Sequence, residues 1–177
     1  AACDAFRSDL VTDFIKELDW QAADPKAALE EDGSLGTHAL FLLGKWREES
    51  AWPVFRKLFS LPGDIGYDLL GDLITEDGSI LLAMVVGSRQ DELRAMVEDE
   101  KLDEYCRNAC LDALACQVAW GECPRAELVA YLRELLTGRL QNILENEHVF
   151  GGVMSVACDL EAWELRPEIQ AAHRRGV

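Results

Sequence analysis

A seven-residue motif that recurs four times constrains this chain more than any other feature. Pro53-Val-Phe-Arg-Lys-Leu-Phe, Asp91-Glu-Leu-Arg-Ala-Met-Val, Ala126-Glu-Leu-Val-Ala-Tyr-Leu and Pro167-Glu-Ile-Gln-Ala-Ala-His share an apolar third residue, and the first three share an apolar seventh. The copies begin at residues 53, 91, 126 and 167, at intervals of 38, 35 and 41 residues. Periods of that size belong to stacked helical hairpins, each too small to bury its apolar face without a neighbour.

The clearest hairpin runs from Thr37 to Leu61. Ala39, Leu42, Leu43 and Trp46 fall on one helical face, and Glu48, Glu49 and Ser50 break it. Pro53 suits the first turn of a second helix, Val54, Phe55, Leu58 and Phe59 continue the apolar spacing, and Pro62-Gly63 stops it. Upstream, Phe6, Leu10, Phe14, Ile15 and Leu18 mark a helix from Asp4 to Trp20, and Asp24-Pro25 opens a short acidic one. Downstream come a broken stretch around Gly71, an apolar helix from Ile80 to Val86, and a return helix from Gln90 to Glu98. A long helix spans Asp103 to Trp120, another Ala126 to Leu136, a spacer Leu140 to Glu147, and a last pair Phe150 to Leu160 and Arg166 to Arg175. Nothing alternates with period two, so no sheet is predicted. The expected fold is an all-α superhelix of about five antiparallel helix pairs. It forms one domain over residues 1–177, with 1–36 as a terminal capping pair and 37–177 as repeats.

Charge narrows the partners. Seventeen basic residues stand against 33 acidic ones, a formal net charge of −16. Such a surface repels phosphate backbones, which argues against nucleic acid and favours a protein partner, a basic segment being the suited class. No apolar run approaches the roughly 18 residues of a membrane span. The six cysteines include no Cys-x-x-Cys pair, so they are expected to serve as small buried hydrophobes in a reducing compartment, the cytoplasm. No metal or cofactor is implied.

The stretch Leu70-Gly-Asp-Leu-Ile-Thr-Glu-Asp-Gly78 concentrates oxygen donors: Asp72, Thr75, Glu76 and Asp77. Those groups suit a hard cation or a partner's Arg or Lys. The competing expectation is that Asp72, Thr75 or Asp77 caps the helix beginning near Ile80. Arg107, a cation within an apolar pattern, is expected to clamp Asp72 or Glu76 of the neighbouring repeat. His38 enters the organising hairpin, and no His-Glu-x-x-His or other hydrolase pattern is present. Trp46, Trp52, Trp120 and Trp163 are expected to pack the turns between paired helices.

The motifs Leu70-Gly-Asp-Leu-Ile-Thr-Glu, His38-Ala-Leu-Phe-Leu-Leu, Glu104-Tyr-Cys-Arg and Ala157-Cys-Asp-Leu160, in this chain's order, resemble a bacterial family designated domain of unknown function 1186. The resemblance implies a HEAT-type helical repeat and no established biochemical role. Many members of that family carry a C-terminal cysteine-rich zinc motif similar to the tail of the SecA translocation ATPase. No such cluster precedes Val177, so zinc is not carried over, and no catalytic residue is transferred.

Together these readings describe a cytoplasmic protein-interaction scaffold with His38, Asp72, Thr75, Glu76 and Arg107 as polar anchors. The alternative is a metal-dependent or carboxylate-based enzyme or binding protein built on the 72–77 cluster, and a third possibility is a homo-oligomer that fills its own groove. A scaffold spreads its polar residues along a surface, whereas an enzyme gathers them in a closed pocket.

Overall fold

The computed structural model describes residues 3–31, 34–140 and 146–175. These residues are all-α, with twelve α-helices and no strand among them. One isolated β-bridge joins Pro62 to Leu102. A 3-10 turn, Cys3–Phe6, precedes α1 (Arg7–Ala23), so the first α-helix starts later than Asp4. At α2 (Pro25–Glu30) the Asp24 side chain accepts a bond from the Ala27 N–H at 3.2 Å, and Pro25 takes the first turn. The organising hairpin is α3 (Ser34–Lys45) and α4 (Trp52–Phe59). Two short helices, α5 (Ile65–Leu70) and α6 (Leu73–Glu76), are divided at Gly71, where φ is +57°. There follow α7 (Gly78–Val85), α8 (Gln90–Glu98), α9 (Glu104–Ala119) and α10 (Arg125–Glu134), the last running into a π turn, Leu135–Arg139. The expected spacer helix falls largely outside the described residues. The chain closes with α11 (Glu147–Asp159) and α12 (Arg166–Arg174).

Packing follows the order of the chain. Helix α1 lies on α3, α3 on α7, α7 on α9 and α9 on α11, which makes one layer. Helices α4, α8 and α10 lie against it: α4 touches α1 and α7, α8 touches α9, and α10 touches α9 and α11. The recurring motif supplies the second layer's buried face. Its third residues Phe55, Leu93 and Leu128 are all at most 1% exposed, and its seventh residues Phe59, Val97 and Leu132 are equally hidden. Burial of such side chains, at about 2 kcal/mol each, is the main source of stability.

Hydrogen bonds repeat the period. Trp52 Nε1 and Arg56 reach Glu92, 40 and 36 residues on; Lys57 reaches Asp19, 38 residues back. Arg125 reaches Glu164 across 39 residues, Arg133 reaches Glu168 across 35, and Arg139 reaches Glu98 across 41. Each helix pair is stitched to the next at one-repeat spacing.

The turns that close α3, α7, α9 and α11 share a device. Arg47, Gly87, Gly121 and Glu161 all have φ between +49° and +74°, the left-handed conformation that ends helices. After α3, α9 and α11 the next N–H reaches back to the last helical turn: Glu48 to the Leu43 carbonyl, Glu122 to Gln117, Ala162 to Ala157. Arg47 then extends over the intervening Gly87 turn to pair with Glu122 and cover the Trp120 ring at 4.8 Å. At Gly87 the φ of +58° favours glycine, while the Glu49 carboxylate that a Cβ there would meet is the end of an exposed side chain and can swing aside.

Candidate interaction surface

The expected anchor residues lie on three different elements. His38 is exposed on α3. Asp72, Thr75 and Glu76 are exposed at α6. There the Thr75 hydroxyl donates to the Asp72 carbonyl at 3.1 Å, and the Tyr67 hydroxyl reaches Asp72 Oδ1 at 3.4 Å. The expected caps are not made: neither Asp72 before α6 nor Asp77 before α7 gives a side-chain capping bond. Asp72 has helical φ and ψ of −62° and −14°, a backbone that points its carboxylate away from the following N–H groups. Among the described residues no three His, Cys, Asp or Glu side chains gather as a metal site.

Arg107 is 1% exposed in α9. Its Nε donates to the Val97 carbonyl at 2.8 Å and its Nη2 to Asn146 Oδ1, 39 residues on, while Asn146 Nδ2 donates to Glu100 at 2.7 Å. These partners replace the expected carboxylates Asp72 and Glu76. Burial lowers the guanidinium's pKa, and Glu100 and Asp99 oppose that shift. Arg107 thus ties the end of α8 to the start of α11 from inside the protein.

A row of rings that periodicity did not reveal crosses α5, α9 and α11. Tyr67 and Tyr105 lie 6.2 Å apart by ring centroids, and the His148 ring meets Tyr105 edge-on at 4.7 Å. Tyr67 and Tyr105 are 41% and 40% exposed. Asp72 stands at one end of the row. At the other, α9 and α11 enclose an open cleft of about 590 Å³, lined by Glu104, Asn108, Asp112, Glu147, His148 and Ser155. Gly152 forms its floor: a Cβ there would lie 2.3 Å from Asn108 Oδ1, while Asn108 Nδ2 donates to the His148 carbonyl at 3.2 Å. The Asp112 carboxyl is pushed above its ordinary value, first by burial and then by Asp159. Tyr67 and Tyr105 sit about one repeat apart, the signal that could have linked them.

The expectation of buried cysteines holds for Cys106, Cys110 and Cys123 and is corrected at Cys3 and Cys158, which are exposed where the ends of the chain and of α11 meet solvent. All six are free of disulfides. Burial pushes the Cys106 thiol up to about 12 and raises Cys110, Cys116 and Cys123 as well, which keeps them protonated at neutral pH.

Comparison with known proteins adds a family and no activity. The model of DUF1186, a family of unknown function, matches residues 5–177. The chain belongs to this family. Two relatives of the DUF1186 member, both described as uncharacterised proteins, come from Chlamydia muridarum (strain MoPn / Nigg) and Chlamydia trachomatis serovar D. Each is 27% identical over 169 residues, which is 94% of this chain and 67% or 66% of the relative. The chain therefore spans about two thirds of their length. No solved structure matches. No described helix is long and apolar enough to cross a membrane.

Proposed function

We propose that this DUF1186 protein is a cytoplasmic protein-interaction scaffold, a superhelical stack whose α5–α6, α9 and α11 surface grips a basic segment of a protein partner. One observation carries the reading: an exposed row, Asp72–Tyr67–Tyr105–His148, leads into a carboxylate-lined cleft across successive repeats. Aromatic faces beside carboxylates suit Arg and Lys side chains, and the net charge of −16 attracts a basic chain from a distance. Asp72, Thr75 and Glu76 act as exposed contacts at the α6 end of this surface, His38 as a further contact on α3, and Arg107 ties α8 to α11 from inside the protein. The polar residues are spread over several helices, the arrangement of a binding face.

The test is affinity capture from native lysate with mass spectrometry, using the parent, Asp72→Lys/Glu76→Lys and Tyr105→Ala, each shown by circular dichroism to keep its helix content. Basic proteins held by the parent and released by both variants are expected. Identical captures by all three chains would overturn the reading.

A further inference from the structure

Trp163, 80% exposed, does not pack its turn as expected, whereas Trp52 does at 2%. The charge pattern that selects an occupant lies elsewhere, on the outward side of α4, α8 and α10. The third and seventh residues of the recurring motif face the first layer, and its fifth residue lies about 180° around the helix from them. That fifth residue is Lys57 in α4, Ala95 in α8 and Ala130 in α10, all exposed. Beside these small side chains lie two open clefts, one of about 570 Å³ between α4 and α8 and one of about 500 Å³ between α8 and α10. Ala95 lines both, so the clefts meet over it and a chain can cross α8 there. The two carry opposite charge. Arg56, Lys57 and Lys101 line the first against Asp99 alone, in a chain with 33 acidic and 17 basic residues. Arg56 and Lys57 pair with Glu92 and Asp19, which do not line the cleft, and Lys101 has no ion pair among the described residues. Exposed pairs of this kind are weak and exchange readily for a partner's carboxylate. Asp91, Glu98, Glu127 and Glu134 line the second cleft against Arg94 and Arg139. Both arginines lean on the Tyr131 ring, at 5.2 and 5.9 Å; Arg94 pairs with Asp91, and Arg139 is shared by Glu98 and Glu134. Glu127 has no ion pair among the described residues, so carboxylates stand in excess.

We propose that this channel binds an extended segment of another protein in which an acidic and a basic stretch adjoin, the acidic residues over the α4–α8 cleft and the basic ones over the α8–α10 cleft. Packed helices lie about 8–10 Å apart and an extended chain rises about 3.3 Å per residue, so about three residues separate the two stretches and pass over Ala95. Met96 and Leu102, in the walls of the first cleft, offer an apolar rest to a side chain of the segment. Such a segment has little net charge, so the −16 of the whole chain neither draws nor repels it from a distance, and the local pattern decides. A second copy of this chain is a poor occupant, because two bodies of −16 repel each other. The channel lies on the second layer, whereas the aromatic row lies on α5, α9 and α11, and it does not rest on the binding proposed there.

The probe is a labelled peptide with a glutamate block and an arginine block about three residues apart, made with the glutamates at either end. Its control has the same composition with the charges alternating. Binding is read by fluorescence anisotropy. One of the blocked peptides should bind the parent about tenfold or more tighter than the control, since only charge order differs between them. Lys57→Glu/Lys101→Glu, Glu127→Lys/Glu134→Lys and Ala95→Trp should each remove most of that advantage, the last by filling the channel without a change of charge. Asp72→Lys/Glu76→Lys changes the net charge as much as Glu127→Lys/Glu134→Lys does and should leave the advantage intact, which separates this channel from the other surface. Circular dichroism checks the helix content of every variant. Absence of binding, equal binding of blocked and alternating peptides, or an advantage that survives Ala95→Trp or either swap within the channel would overturn the proposal. So would a concentration-dependent dimer in sedimentation that Lys57→Glu/Lys101→Glu dissolves, since the occupant would then be a second copy.

Discussion

Arg107 places a guanidinium at 1% exposure between the Val97 carbonyl and Asn146. Truncating one member of such a set leaves the others unpaired in a dry interior. Arg107→Ala should therefore lower the unfolding free energy by about 3 kcal/mol. Arg107→Met fills the volume without the bonds and should cost less, and chemical denaturation of both variants checks the order. Trp52, 2% exposed, donates to Glu92 at 2.9 Å, so Trp52→Phe should cost about 1 kcal/mol. In Glu92→Ala the same substitution should cost measurably less, because the bond is already gone. The sequence marked Arg107 as out of place in an apolar pattern, yet its partner was beyond reading. Asn146 sits one repeat away in the stretch read as a spacer helix, with nothing in its type to mark it as Arg107's partner, and only the packing of α9 on α11 brings the two together.

Helix boundaries were legible wherever apolar spacing and a stop signal coincided. Gln90–Glu98 is found as read, the break at Gly71 is real, and Asp24-Pro25 caps α2. Capping by Asp72 and Asp77 was not legible, because it depends on the residue's own backbone: ψ is 73° at Asp24, which caps, and −14° and −11° at Asp72 and Asp77, which do not. Asp103 has φ −53° and ψ 138°, and its side chain accepts from the Tyr105 and Cys106 N–H groups. Asp103→Ala should therefore cost about 1 kcal/mol, and Asp77→Ala less than about 0.5 kcal/mol, as thermal melts would show. The shared turn gives substitutions of opposite sign. Gly121 has φ +74° with open space around it, so Gly121→Ala should cost about 1 kcal/mol from backbone strain alone. Gly87→Ala should cost a similar amount, because the Glu49 carboxylate it would meet ends an exposed side chain that can swing aside. Glu161, at φ +50°, is a strained non-glycine, and Glu161→Gly should stabilise by roughly 0.5–1 kcal/mol.

The whole molecule carries its charge unevenly in its response to acid. Arg125 holds the Glu164 carboxyl down to about 2, and Glu48 and Glu168 are also lowered by bonds from Ser50, Arg7 and Arg133. An unfolded glutamate titrates near ~4.3, so acid protonates the unfolded chain first. The stability these groups supply is complete above that pH and is lost as pH falls toward 2. Asp112 has the opposite sign, because protonation relieves its burial, and partial neutralisation of the −16 charge helps in the same direction. The melting temperature should peak at about pH 5–6 and drop steeply below about pH 4, with a shallower drop for Glu164→Gln, readable by calorimetry across pH. The reach of Arg47 to Glu122 has a mechanical meaning as well. Every other inter-repeat ion pair described above links neighbours, so each stretches little when the stack flexes. This one joins the turn after α3 to the turn after α9 across 75 residues, like a clasp, so it is loaded whenever those two turns move apart. An exposed pair of this kind yields for about 1 kcal/mol or less. Thermal agitation can therefore open and close it while the buried side chains beneath keep their packing.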